Sequence, residues 1–233
     1  IHSMPKCVER VNVAMGYPIK NTLAYSLVER LIELQLHGRR RESAEVDVFY
    51  YHDVHGLLSH PYIGDCCGEL AKKLDSHILS NRIISVESTL FNDNDTLGAI
   101  FCKHDSWSSI SKYLLDIISR LIEHAASMSN IDVEYLQIVH DEISKTMHSV
   151  ESSAIEPSLA VYVSLLRRHL QTITMSYEGE PLEGVQIMGI LETRNIDFEN
   201  VILLSMNDAN FPGDKTGQSS FIPYNLRAAY GIP

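Results

Sequence analysis

Val185-Gln186-Ile187-Met188-Gly189-Ile190-Leu191 and Val201-Ile202-Leu203-Leu204-Ser205-Met206 are two short apolar runs rich in β-branched residues. Runs of this kind are the form taken by strands buried on both faces. They follow a turn cluster, Gly179-Glu180-Pro181, and upstream of it the periodicity is helical. The clearest helical stretches are 64–79, 106–128 with Ile110, Leu114, Ile117, Ile118 and Leu121 on one stripe, 132–149, and 156–174 with Pro157 in a first-turn position. Near the start, Val11-Asn12-Val13-Ala14-Met15 alternates before Gly16-Tyr17-Pro18 breaks it, which predicts a short strand. Asn21 and Thr22 are good caps for an amphipathic helix carrying Leu23, Leu27, Leu31 and Leu34 and ending near His37-Gly38. About 140 residues of helix exceed one crossover between strands, so the order predicts an α/β domain interrupted by a helical insertion. Residues 1–37 and 180–233 are expected to form the α/β unit and 45–178 the helical one.

The composition agrees with a globular chain. Of 233 residues, 45% are hydrophobic and 21% charged, with 12 Gly and 8 Pro, values that exclude a disordered or collagen-like protein. A formal net charge of -11 gives no whole-surface positive field, so any contact with nucleic acid must be local. Four cysteines (Cys7, Cys66, Cys67, Cys102) are too few for a disulfide scaffold, and a reducing cytoplasm is the expected location. No run of 18 apolar residues occurs, and no basic segment leading into an apolar one opens the sequence, so neither a membrane span nor a leader is expected.

Most clusters that could carry chemistry have ordinary explanations. His52, Asp53, His55 and His60 are ligand types for zinc, but HDVHGLLSH lacks the HExxH spacing, and surface or capping roles are expected. Asn92-Asp93-Asn94-Asp95 lacks the remaining ligands of a calcium loop and reads as a solvated turn. Gly213-Asp214-Lys215-Thr216 does not have the spacing of a phosphate loop, and no GxSxG occurs. The cysteines lack iron–sulfur spacing. Arg39-Arg40-Arg41 and Arg167-Arg168-His169 could neutralise phosphates, though solvated helix ends or faces are the commoner role of such clusters.

The stretch Val185 to Pro212, VQIMGILETRNIDFENVILLSMNDANFP, resembles motif V of UvrD-type superfamily 1 helicases. There a buried strand leads into a loop on the DNA and nucleotide side, and the family form is close to THxxKGLEF. Here the usual His is Leu191, the Lys is Arg194 and the Gly is Asn195. Leu191 cannot hydrogen-bond, whereas Arg194 keeps the charge and widens the donor set. These departures speak against ATP-coupled chemistry and leave a phosphate contact in place. The form G-x-LE-x-R-x-x-DF followed by NDANFP is more similar to AddB/RecC-type subunits of helicase–nuclease complexes, members of the PD-(D/E)XK nuclease family with degenerate helicase-like halves. VNVAMGYPIKNT at 11–22 resembles the opening strand and loop of the second RecA-like domain in that group, with Pro18 and Ile19 where active helicases continue an NYRS-like motif. YSLVERLIEL, FYYHDVHGLLSHPYI and SSFIPYNLRAAYGIP are similar too, so the resemblance covers about half the chain.

The resemblance implies a second RecA-like domain of a superfamily 1 helicase with a large all-α insertion subdomain, in agreement with the periodicity. It further implies a piece of a longer protein, with the phosphate loop before Ile1 and the nuclease domain after Pro233. It implies a function in DNA double-strand-break processing and recombinational repair, without catalysis by this chain. Arg194 and Thr193 would contact DNA phosphate or a facing domain, Asp197 would orient Arg194, and Tyr17 and Lys20 would sit on the neighbouring loop, where α/β proteins place ligands. The implied partners are single-stranded DNA, reached through the longer protein, and an AddA-like helicase–nuclease subunit. No cofactor is expected in this chain, ATP and magnesium being matters for the longer protein. A different reading is a helical protein-interaction scaffold built on a degenerate helicase fold; an autonomous ATPase is disfavoured because no phosphate loop is present.

Overall fold

The computed structural model describes residues 11–13, 16–41, 46–124, 128–153, 156–175, 184–189, 193, 197–204 and 206–207. The fold is mixed α/β and mainly helical, and the chain divides into two compact units, Ile1–Met188 and Gly189–Pro233.

In the first unit, β1 (Val11–Val13) pairs in parallel with β7 (Val185–Ile187), Val11 opposite Val185 and Val13 opposite Ile187. β2 (Tyr17–Pro18) pairs antiparallel with β6 (Thr174–Met175), and the Ile19 amide donates to the Ile173 carbonyl at 3.0 Å. The segments leading into and out of the helical block are therefore hydrogen-bonded to each other. A Cβ on Gly16 would lie 3.0 Å from Thr174 Cβ, so a small residue permits this close passage.

Between these pairs, seven α-helices are found among the described residues. Thr22 caps α1 (Leu23–His37), its hydroxyl accepting from Tyr25 N at 3.3 Å while donating to the Ile19 carbonyl at 2.7 Å. Leu27, Val28, Leu31, Ile32 and Leu34 on its inner face are fully or almost fully buried, each contributing about 1.5–3 kcal/mol by leaving water. α5 (Trp107–Glu123) starts at a reciprocal Ser106–Ser109 capping box, and its stripe Ile110, Leu114, Ile117, Ile118 and Leu121 enters the same core. α6 (Asn130–Glu151) packs along it, and α7 (Leu159–Thr172) closes the block. Pro157 lies before the Ser158 cap rather than in the first turn of α7.

The helical block also contains an antiparallel sheet that apolar periodicity does not reveal, β3 (Arg39–Arg41), β4 (Val46–Tyr50) and β5 (Ser85–Glu87), in that order. Asp47 and Phe49 share its buried face, and Phe49 joins Phe91 and Phe101, the latter pair stacked at 3.8 Å. Gly38 lets α1 pass this sheet, since a Cβ there would come within 2.7 Å of the Phe49 ring.

After α2 (Tyr51–Leu58), α3 (Pro61–Ser80) is broken at Gly68, whose φ of 50° and ψ of -124° suit glycine alone. α3 ends in a Schellman arrangement, with Ile83 N bonded to the Ile78 carbonyl at 3.0 Å and Arg82 N to the Leu79 carbonyl at 3.2 Å. The left-handed position of that motif is occupied by Arg82, at φ 51°, where glycine would be about 1 kcal/mol more favourable. α4 (Asp95–Ile100) is short and follows an Asn94 cap.

The second apolar run does not form the expected core strand. Val201, Ile202, Leu203 and Leu204 have no regular secondary structure and all are exposed. Apolar composition sets a preference for burial but supplies no ladder, and among the described residues no strand pairs with this run.

Candidate functional site

Because β1 and β7 run in parallel, their carboxyl ends lie side by side, and Tyr17 and Lys20 follow β1 in the sequence. Tyr17 is 40% exposed; its ring stands 6.2 Å from that of Tyr135 on α6 and its hydroxyl donates to the Asn21 carbonyl at 3.4 Å. Lys20 is exposed in the 3-10 turn Ile19–Asn21 and has no ion pair among the described residues. An aromatic face held by a second ring, with a solvated ammonium three residues on, can stack on a base and neutralise a phosphate. Thr193 and Asp197 belong to the second unit, the first half-buried and the second exposed. Arg194, and with it the expected contact to Asp197, lies outside the described residues.

The basic clusters separate into engaged and open side chains. Arg167 donates to Glu29 through Nε at 2.8 Å and approaches it through Nη2 at 2.7 Å, with Glu33 at 4.0 Å. Tyr25 donates to Glu29 at 2.6 Å and accepts from Gln171 at 2.9 Å; burial first, and then Glu29, push its phenol up. Arg167 thus ties α7 to α1. Arg168, which is exposed, lines an open groove of about 440 Å³ together with Arg167, Leu36, Val163 and Ser164. On the edge strand β3, Arg40 pairs with Asp47 at 2.9 Å while Arg39 is exposed. Burial alone would raise Asp47, but hydrogen bonds from Arg40 and from Lys103 N outweigh it and hold the carboxyl below its usual range.

The histidines of this region take surface and capping roles. His37 meets Asp53 at 3.0 Å and His55 meets Asp75 at 2.7 Å, while His52 lies 4.0 Å from Asp53. His60 caps α3, Nδ1 accepting from Tyr62 N at 3.4 Å. Among the described residues no three His, Cys, Asp or Glu side chains converge as metal ligands. Asn94 of the acidic turn accepts from Leu97 N at 2.9 Å as the cap of α4. Cys66 and Cys67 are half-buried free thiols, Cys102 is an exposed one, and burial followed by Cys66 pushes the Cys67 thiol up to about 12. Lys215 and Thr216 lie outside the described residues.

Two features escaped the sequence reading. Buried Gln35 donates to the Cys102 carbonyl and accepts from His104 N, both at 2.8 Å, while the Lys103 ammonium, only 8% exposed, donates to the Gln35 carbonyl at 2.6 Å. No sequence signal marks a glutamine on an apolar stripe as such a hub. The second is an open cavity of about 390 Å³ lined by Tyr50, Tyr51, Ile78, Leu79, Arg82, Ile83 and Ile84. Its signal was the aromatic run Phe49-Tyr50-Tyr51-His52. Among the described residues, no helix is long and apolar enough to cross a membrane. Comparison of the chain with protein-family models, curated proteins and solved structures finds no match in any of the three.

Proposed function

We propose that the chain is a non-catalytic, helicase-like piece of a helicase–nuclease subunit that acts in DNA double-strand-break processing and recombinational repair. On this reading it is a second RecA-like domain carrying a helical insertion, located in the cytoplasm. It meets single-stranded DNA through the longer protein, beside an AddA-like subunit, with ATP and magnesium handled elsewhere in the assembly. The observation that carries the reading is topological. Strands 11–13 and 185–187 pair in parallel across the whole helical block, whose two ends are tied by β2 and β6. That is the arrangement an insertion requires, and Tyr17 and Lys20, which follow β1 in the sequence, are exposed, in keeping with the loops after strands where α/β proteins place ligands.

The test is the salt dependence of single-stranded DNA binding by the full-length protein. Arg194→Ala is expected to weaken binding and to reduce the slope of log K against log salt by roughly 0.7, the value for one phosphate contact. Arg167→Ala, whose guanidinium is held by Glu29, should leave the slope unchanged. Equal slopes for wild type and Arg194→Ala would overturn the assignment. They would favour the helical interaction scaffold, which the open Leu36–Arg168 groove along α7 supports.

A further inference from the structure

We propose that the cavity between the end of β4 and the end of α3 is a nucleotide-binding site, in which a base stacks on Tyr50 and a phosphate meets Arg82. The inference stands apart from the helicase-like reading, because it uses only residues of the helical block. Tyr50, the last residue of β4, is 48% exposed although its ring is fixed in place. The Tyr51 ring abuts it edge-on at 4.8 Å, and the His52 ring lies nearly parallel at 6.4 Å. Ile84, 64% exposed, and half-exposed Leu79 complete an apolar floor beside it.

Arg82 is the one formally charged side chain in the lining, is exposed, and has no ion pair among the described residues. It also stands in the left-handed position of the α3 terminus, which glycine fills more comfortably. A strained arginine over an apolar, aromatic cavity suits an occupant that is planar and apolar at one end and anionic at the other. Nucleotides have that chemistry, and aromatic stacking with a nearby guanidinium is the usual way a protein holds an unpaired base. In a chain of net charge -11, a lining that among the described residues holds one open cation and no acid favours an anion over a cationic or neutral peptide.

The 233-residue chain is titrated at low salt into a fluorescein-labelled twelve-residue oligothymidylate, an abasic strand of equal length, and adenosine monophosphate followed by its effect on tyrosine NMR signals. Wild type should bind the oligothymidylate about tenfold more tightly than the abasic strand, and Tyr50→Ala should abolish that difference while Tyr50→Phe retains it. Arg82→Gly should weaken binding several-fold although it relieves the backbone and leaves the protein folded. Saturable shifts of Tyr50 and Tyr51 with the mononucleotide identify a free nucleotide as the source of the ligand; binding of the strand alone identifies single-stranded DNA. Wild-type affinity in both Tyr50→Ala and Arg82→Gly, or binding of an acidic peptide with none of the nucleotide probes, would overturn the inference. Neither result bears on the Arg194 salt slope, so the two proposals fail separately.

Discussion

His60 should make the protein acid-sensitive well above the carboxylate range. The ring is 4% exposed, packed edge-on against Tyr62 at 5.3 Å, and its Nε2 has no partner in good geometry, the Leu23 carbonyl facing it. Burial, and then the Arg30 guanidinium, push its pKa down to about 4, and the Leu23 carbonyl offsets this only in part. Protonation would also place a hydrogen on Nδ1, the atom that accepts from Tyr62 N, and so destroy the α3 cap. A cation at a helix N-terminus is unfavourable in its own right.

The folded pKa lies below the unfolded value of about 6.5, so the unfolded chain binds the proton more readily. The stabilisation is therefore complete above pH 6.5 and is lost as pH falls through the window down to about 4. At about 1.4 kcal/mol per unit, the whole effect is about 3 kcal/mol, of which about 2 kcal/mol is gone by pH 5. The assay is urea unfolding followed by circular dichroism at pH 7.5 and pH 5, for wild type and for His60→Asn, which keeps a cap acceptor but cannot titrate. His104, also held down by burial, contributes equally to both proteins and cancels. Wild type should lose about 2 kcal/mol more than the variant between the two pH values. Identical losses would show that His60 is not buried as described.

Three further outcomes are expected. Arg82→Gly should raise stability by about 1 kcal/mol in urea unfolding, because glycine suits the left-handed φ of 51° that arginine now adopts; a loss of stability would mean that the arginine side chain supports the fold. Gln35→Leu should cost about 2 kcal/mol by the same measurement, since it removes the partner of the Cys102 carbonyl and of His104 N in a part-buried site. The isolated chain should show no ATP turnover in a coupled assay, with or without DNA, given the absence of a phosphate loop and the replacements Pro18, Leu191 and Asn195; steady turnover would contradict the non-catalytic role proposed for it.

Helices α1 and α5 were legible in the sequence because each combines a cap with a stripe, whereas the short α2 and α4 were not marked out in this way. Ser106 and Thr22 mark starts, and the Ile110–Leu121 and Leu27–Leu34 faces mark what is buried. The parallel partnership of 11–13 with 185–187 was legible as two strand-like segments bracketing helix. The sheet β3–β4–β5 was not, because its edge strand is Arg39-Arg40-Arg41 and the Arg40–Asp47 pair stabilises it by charge across the register rather than by apolar alternation. Nor could apolar content place 201–204, since a run of Val, Ile and Leu states a preference for cover without naming what provides it. At the site, Tyr17 and Lys20 could be singled out by their place after a strand. Arg82 could not, because the left-handed turn that displays it is a property of backbone geometry at the end of α3. The 167–169 cluster is not simply the solvated face expected, because Arg167 is part-buried against a carboxylate that lies 138 residues away in sequence.

The helicase-like reading rests on one sheet spanning the helical block, and the most direct test is the pattern of amide and Cα proton contacts in a nuclear Overhauser spectrum of the deuterium-diluted 233-residue chain. Contacts linking Val11 with Val185, Asn12 with Gln186 and Val13 with Ile187 in parallel register are the predicted result. Their absence, or an antiparallel pattern between the same residues, would contradict it.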